Sequence, residues 1–362
     1  MPPLDPNLSE KDVLQAVQGT LDVVDTLRVI DNLDNLVARG GFMLNMAFLE
    51  GDQLAVRERF WALFDHYCRV LPLHEMVWWW GGRPLPYLGE RAQAKLRELK
   101  HNALSPKYAI EFRMGSGLQS LKMRGPAIWD DHAQAYYCKV FIRDSKSMWF
   151  RDTHITPGSG PSPSVVRFGF PVSWVRGGGD TAGFVKQAVQ ILQPLWATAG
   201  WGVIPAPTEE ISWSNEAQQR LYPWLERFAG IDAISSDTLN KTAFNKGMPS
   251  INWINFVSDP LLQPLGGREA VRARVQASQW LTAKDVGNCL MVQAGPFPSV
   301  CDTHSGLPLP AGFGEAARLF KPIRVQGVLN DFVSSKGGHG PDDEDWQRDC
   351  EQWFGRFDRY GL

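Results

Sequence analysis

Short stretches in which every second residue is apolar recur along this chain, and they constrain its fold more than any other feature. Phe42, Leu44, Met46 and Phe48 fall on one side of a single run, which is the period of a β-strand with one buried face. Tyr108, Ile110, Phe112 and Met114 alternate with Ala109, Glu111 and Arg113. Val166, Phe168 and Phe170 repeat the pattern, in a strand expected to run on toward Val175. Further strands are expected at Tyr136–Ile142, Ala199–Ile204, Ile251–Val257 and Cys289–Ala294. Val77-Trp78-Trp79-Trp80, closed by Gly81-Gly82, reads as a short strand or an aromatic ledge.

Between these runs the apolar spacing changes to three and four, the stripe of an amphipathic helix. Leu14, Val17, Leu21 and Val24 predict a helix over residues 10–38, ended by Gly40-Gly41, with Asp12, Asp22 and Asp25 off the stripe. Up to residue 38 seven acids face two bases, Lys11 and Arg28, so this arm is locally acidic. Val56, Phe60, Leu63 and Phe64 mark a second helix over Leu54–Val70, stopped by Pro72. A glycine loop (Gly177-Gly178-Gly179) leads to a helix from about Gly183 to Gln193, with Pro194 behind it. Others are expected near Arg268–Val275 and at 343–354, where Asp342-Asp343-Glu344-Asp345 stand at the start and suit the helix dipole.

Strands mixed with helices, without regular βαβα alternation, predict an α+β fold of mixed or antiparallel sheets with flanking helices. Pro157-Gly158-Ser159-Gly160-Pro161-Ser162-Pro163-Ser164 is a linker by composition. It divides the chain into an N-terminal α+β lobe at 1–156, carrying the acidic helical arm, and a C-terminal α+β lobe at 165–362. Each lobe runs strand, loop, helix, proline, tryptophan strand, glycine, an order that points to an internal duplication.

With 362 residues, 44% of them hydrophobic, the chain can bury a sizeable core without disulfides or metals. Its net charge of −2 gives no global basic field for nucleic acid and no bulk acidity that imitates DNA. The N-terminal residues lack the pattern of a secretory signal, and no run reaches the apolar length of a membrane span, so a cytoplasmic location is expected. Cys68, Cys138, Cys289, Cys301 and Cys350 are odd in number and too widely spaced for a disulfide framework or a zinc knuckle. They read as reduced, mostly buried cysteines.

Enzyme motifs are weak. The glycine loop leading to Gly183 lacks the Lys-Ser/Thr of a phosphate loop and departs from dinucleotide spacing, so a tight turn explains it better. Cys301-Asp302-Thr303-His304 crowds four reactive types, but a nucleophile and its base normally meet across a fold. With Pro296, Pro298 and Pro308 around it, this stretch reads as a strained structural or partner-facing loop. No histidine pair has the i, i+4 spacing of a helical zinc site, and no serine sits in a G-x-S-x-G elbow. The expectation is therefore a protein that is not an enzyme and needs no cofactor or metal. Paired carboxylates leave no sequence signature, so a hydrolase remains an alternative.

Tryptophan is the odd item of composition, 15 against 7 tyrosines. Trp78, Trp79 and Trp80 can stack on sugars or anchor a protein interface, and otherwise are core. Asp342, Asp343, Glu344 and Asp345 can meet a basic surface, and otherwise cap a solvated helix. These seven residues are the candidates for partner binding, and a tryptophan-rich carbohydrate- or ligand-binding module is a second alternative.

One ordered set of motifs goes further: RFGFPVSW (167–174), PLWATAGWG (194–202), INWINFVSD (251–259), LGG (265–267), VQAGPFPSVCD (292–302), LFKPIR (319–324) and WFGRFD (353–358). In this order and spacing they resemble the type VI secretion immunity family, whose name-giving members neutralise VRR-Nuc nuclease effectors. The resemblance covers roughly residues 165–358, and the N-terminal lobe fits only in general pattern. Two departures stand out: Cys301 where a glycine is expected before Asp302, and Trp196-Ala197-Thr198 where an aromatic or histidine-rich turn is expected. The resemblance implies a cytosolic antitoxin whose partner is a cognate type VI effector, a DNase, with no direct nucleic acid or membrane contact. Such a protein binds at nanomolar strength or better, about −12 kcal/mol. A nuclease cleft is basic, so a local acidic patch speeds association and sets specificity. The arm at 5–34 and the run at 342–345 are the two such patches.

Overall fold

In a computed structural model of the chain, the described residues are 10–80, 83–102, 109–118, 132–142, 163–206, 214–234, 247–306, 309–325, 333–337 and 343–358. In chain order they form α1 (Glu10–Thr26), β1 (Arg28–Ile30), β2 (Leu36–Phe48), α2 (Leu54–Cys68), β3 (Met76–Trp80), β4 (Arg83–Pro86), α3 (Glu90–Asn102), β5 (Ile110–Ser116), β6 (Tyr137–Ile142) and β7 (Ser164–Phe170). Then follow α4 (Val172–Arg176), α5 (Thr181–Leu192), β8 (Trp196–Pro205), α6 (Asn215–Arg227), β9 (Ile254–Ser258), α7 (Asp259–Leu262), α8 (Arg268–Gln276), β10 (Leu281–Val286), β11 (Cys289–Ala294), α9 (Ala311–Phe320) and α10 (Glu344–Phe354).

The strands make one open sheet in the order β10-β11-β9-β8-β2-β7-β6-β5-β3-β4, with β1 beside β2. Every pairing between neighbours in it is antiparallel. The architecture is α+β, as the mixture of the two periods predicts. Pairing runs across the expected lobe boundary: β2 lies between β8 and β7, and β7 lies between β2 and β6. Of the expected linker, residues 157–162 lie outside the described residues, and Ser164 already pairs with Phe48. The order strand, helix, tryptophan strand does occur twice, as β2-α2-β3 and β7-α5-β8. The second passage returns beside β2, whereas the first carries the chain to β3, next to the edge strand β4.

Alternation in β2 and β7 sends Phe42, Leu44, Phe168 and Phe170 to the face covered by α2 and α5. There Tyr67 of α2 lies 4.3 Å from Phe168, and Phe184 of α5 lies 4.9 Å from Phe170. The Tyr67 hydroxyl donates to the Tyr137 and Gly169 carbonyls, tying α2 to the sheet (2.8 and 3.2 Å). On the opposite face, Arg113, Lys139, Arg167, Asn45, Thr198 and Asn255 stand directly across from one another on six successive strands. All six are buried, and their charges are used inside the fold. Arg113 lies over the Trp79 ring (4.5 Å), and Lys139 pairs with Glu111 (3.1 Å). Arg167 donates to Asn45 (2.9 Å), and Asn45 to Asp232 (3.4 Å).

Three local expectations change. The first helix stops at Thr26, not 38, because the chain turns into β1 to pair with β2. Gly40 and Gly41 are therefore not a break but part of β2. A Cβ on Gly40 would collide with the Val24 carbonyl, and one on Gly41 with Ile204 and the Phe170 carbonyl. Glycine lets α1 and its neighbours approach the strand. The strand from Val166 ends at Phe170 instead of running toward Val175, because Pro171 has no N–H for the ladder and starts α4. In addition, β4, α3, α6, α7, β10 and α9 lie where the sequence pattern marks no element.

Candidate functional site

The acidic run lies at the start of α10. Asp343 is the N-cap: its Oδ1 accepts from the Asp345 and Trp346 backbone N–H groups (2.8 and 3.1 Å), filling two donors that the first helical turn leaves open. Asp345 pairs with Lys336 and Arg348, and those hydrogen bonds, Lys336 first, hold its carboxyl below the usual range. Glu344 is exposed, and Asp342 lies outside the described residues. Of the other expected patch, residues 5–9 lie outside the described residues, while Asp22 and Asp25 meet Arg176 (2.8 and 3.6 Å).

Of the tryptophan ledge, Trp78 is fully buried, 6.0 Å from Phe112, and presents no surface. Trp79 is half-buried beneath Arg113. Trp80 closes the strand, with its side chain outside the described residues. The ledge and the acidic run thus belong to different places: one to the sheet near its β4 edge, the other to α10.

Alongside α10 the structure forms a cleft of about 240 Å³. Tyr222, Leu225 and Glu226 of α6 line one wall, and Asp349, Gln352 and Trp353 of α10 the other. Asp349 is 1% exposed and fully engaged: it accepts from the Ser335 N–H and hydroxyl (2.7 Å each) and from the Tyr222 hydroxyl (3.1 Å). An acceptor with its lone pairs already filled is a poor general base. Arg356 closes the base of the cleft. Its guanidinium lies 3.8 Å over Trp353 and donates to the Ala229, Trp353 and Ile251 carbonyls (2.7, 2.9 and 3.3 Å). Burial pulls its pKa down to about 10, so it remains a cation at neutral pH.

The third side is the Cys301–His304 loop. Cys301 has φ +52°, in the left-handed region that favours glycine, at the position where the resemblance calls for glycine. Its thiol is buried and pushed up to about 12 by that burial, so it is not a thiolate nucleophile at neutral pH. Asp302 receives two hydrogen bonds from Arg227 of α6 (3.0 and 2.8 Å), which hold its carboxyl below the ordinary range. Thr303 N–H donates to the Arg227 carbonyl (2.8 Å), and His304 N–H to Asp302 (3.0 Å). The Asp302 carboxylate and the Thr303 and His304 backbone N–H groups thus clamp the loop onto the end of α6. Among the described residues, no group of three or more His, Cys, Asp or Glu is placed to hold a metal ion. Among them also, no helix is long and apolar enough to cross a membrane.

The sequence points to the α10 wall and the 301–304 loop but not to α6. Pro223 inside that helix argues against one. The available signals were Ser214, whose hydroxyl accepts from the Ala217 N–H (3.3 Å), and the stripe of Ala217, Leu221 and Leu225. The ordered motifs turn out to hold one another. Trp201 donates to the Pro298 carbonyl (3.2 Å), Trp253 to that of Gly295 (3.1 Å), and Asn252 to that of Trp201 (3.2 Å). Arg324 donates to the Phe354 carbonyl and to Asp358 (3.0 and 2.6 Å).

Comparison with known proteins places these observations. Residues 131–357 match the profile of a family described as TsiV, type VI immunity for VRR-NUC. Among solved structures, the Pseudomonas aeruginosa T6SS protein PA0821 is similar over 94% of this chain and 90% of that one, with a TM-score of 0.69 and 20% identity. At that identity the likeness is one of fold. The comparison with curated proteins finds no match.

Proposed function

The chain belongs to the TsiV family, type VI immunity for VRR-NUC, and from that premise we propose that it binds a VRR-Nuc-type nuclease effector and occludes its active site in the cytoplasm. It is a type VI immunity protein. The observation that carries the finer reading is the family match over 131–357, which spans the cleft, the 301–304 loop and α10. The chemistry of the cleft agrees with binding: its buried carboxylate, Asp349, is filled by hydrogen bonds. We read the chain as acting by occupancy, without turnover of its own and without a cofactor.

The test is protection. Cells producing a VRR-Nuc effector encoded beside this chain should survive only when the chain is co-produced, and the purified chain should titrate nuclease activity to zero near one equivalent. A chain that neither protects cells nor inhibits any VRR-Nuc effector encoded with it overturns the proposal. Inhibition far below one equivalent would instead indicate catalytic inactivation.

A further inference from the structure

We propose that α10 is a ridge that enters the substrate groove of the effector, with the clefts on its two flanks receiving the walls of that groove. This rests on the proposed binding of a VRR-Nuc nuclease and names the surface that does it. Glu344, Gln347, Arg348 and Glu351 are all exposed, and their spacing of three and four puts them along one side of the helix, its crest. One flank, with Asp349, Gln352 and Trp353, faces the cleft shared with α6. The other, with Glu351, Phe354 and Gly355, faces a second cleft of about 260 Å³ shared with Lys321, Arg324 and Val325. A helix with a groove on either side is a raised feature, and its eleven residues extend about 16 Å.

The ridge is stiff. Trp346, Cys350 and Trp353 are buried beneath it, Arg324 holds its last turn through the Phe354 carbonyl, and Asp349 ties its middle to Ser335. A feature already ordered before contact loses little freedom on binding. The first cleft offers Tyr222, a side-chain type that dominates interface energetics.

Charge selects the occupant. From Asp343 to Phe354 there are five acids and one base, Arg348. Asp343, Asp345 and Asp349 are engaged internally, whereas Glu344 and Glu351 have no ion-pair partner among the described residues. Nucleic acid is repelled by such a crest. The substrate groove of a nuclease, which neutralises phosphates with Lys and Arg, is attracted to it.

The experiment uses the full chain and a purified VRR-Nuc effector. The paired change Glu344→Lys with Glu351→Lys alters exposed side chains and leaves the fold intact. Gln352→Trp fills the first cleft. The control Glu58→Lys with Glu90→Lys makes the same charge change on α2 and α3, at exposed sites away from α10. The crest pair is expected to slow association at low salt at least about tenfold, an effect that shrinks as salt rises. Gln352→Trp should weaken affinity by about tenfold or more through faster dissociation, and both variants should lose nuclease inhibition in parallel. Normal binding by both variants, or equal slowing by the control, overturns the ridge while leaving the immunity reading standing. Self-association of the parent chain, abolished by Gln352→Trp with effector binding intact, assigns the face to a second copy and also overturns it. If the unmodified chain binds no effector, the functional reading itself falls, and the ridge with it.

Discussion

Between β3 and β6 ring contacts stand out in the core, whereas between β8 and β11 an apolar core is tied by buried hydrogen bonds to turns. On the first side Trp61 stacks on Phe112 (6.2 Å, 11°), and Phe64 meets the same ring edge-on (5.2 Å). On the second side Asn255 accepts from the Asn252 N–H (3.0 Å) and donates to its carbonyl (2.7 Å). Asn252 in turn reaches the Trp201 carbonyl, and Ser250 donates to Asp232 (3.1 Å). Ring packing asks for volume and tolerates exchange among shapes that fill it. A buried polar network asks for particular donors and acceptors at particular places. The family match, from residue 131 to 357, takes in the whole polar side and only β6 of the ring-packed strands.

Substitutions can break that contrast, and the largest effect is expected at Arg356. Arg356→Met leaves the Ala229 and Ile251 carbonyls without the guanidinium that serves them, while the Trp353 carbonyl keeps the Arg356 backbone N–H; at about 1–3 kcal/mol for each orphaned group the loss should reach about 4 kcal/mol in urea unfolding at pH 7. Asn252→Leu, nearly conservative in volume, should cost about 2–3 kcal/mol by the same route. Phe112→Leu on the ring-packed side should cost less than about 1.5 kcal/mol. Were Phe112→Leu the most damaging of the three, the division between the two sides would be lost.

A subtler probe is the left-handed Cys301. Cys301→Gly relieves a strained backbone while giving up a buried thiol, so stability should stay within about 1 kcal/mol of the parent. Cys301→Val puts a β-branched residue at φ +52° and should lose about 2 kcal/mol. Equal stabilities for the two variants would show that the turn is not under strain.

The smallest expected effect is a pH dependence confined to the ring-packed side. His66 stacks on Phe184 (4.8 Å, 11°), its Nε2 is buried without a hydrogen-bond partner among the described residues, and burial, with Arg69 nearby, lowers its pKa. A pKa lower in the folded state than in the unfolded chain means that the unfolded chain takes up the proton first. Its contribution is therefore fully present above the ordinary histidine value, about 6.5, and is lost as pH falls toward the lowered one. His66→Phe should flatten the stability profile in that window, and an unchanged slope would remove His66 from the account.

What the sequence disclosed follows the same contrast. Alternation found the strands because each buries one face, and Phe42 to Phe48 needed nothing else. It could not say which strands would be neighbours, because pairing of β2 with β8 is decided by turns and close approaches far along the chain. Gly40 and Gly41 show why: their place in a strand depends on Val24 and Ile204, which no local pattern reports. The motifs of the polar side were recognisable because Asn252, Trp253 and Arg356 are tied to fixed partners. The cleft was half legible. α10 announced itself through its acidic cap, and the opposite wall was hidden by Pro223.

The central position of β2 also has a consequence in time. Asn45 on β2 hydrogen-bonds Asp232, 187 residues later. At roughly 5–20 residues per second, β2 waits on the order of 10–40 s after leaving the ribosome before this partner exists. That delay falls on every new copy, so a type VI immunity protein of this topology serves best as a standing stock.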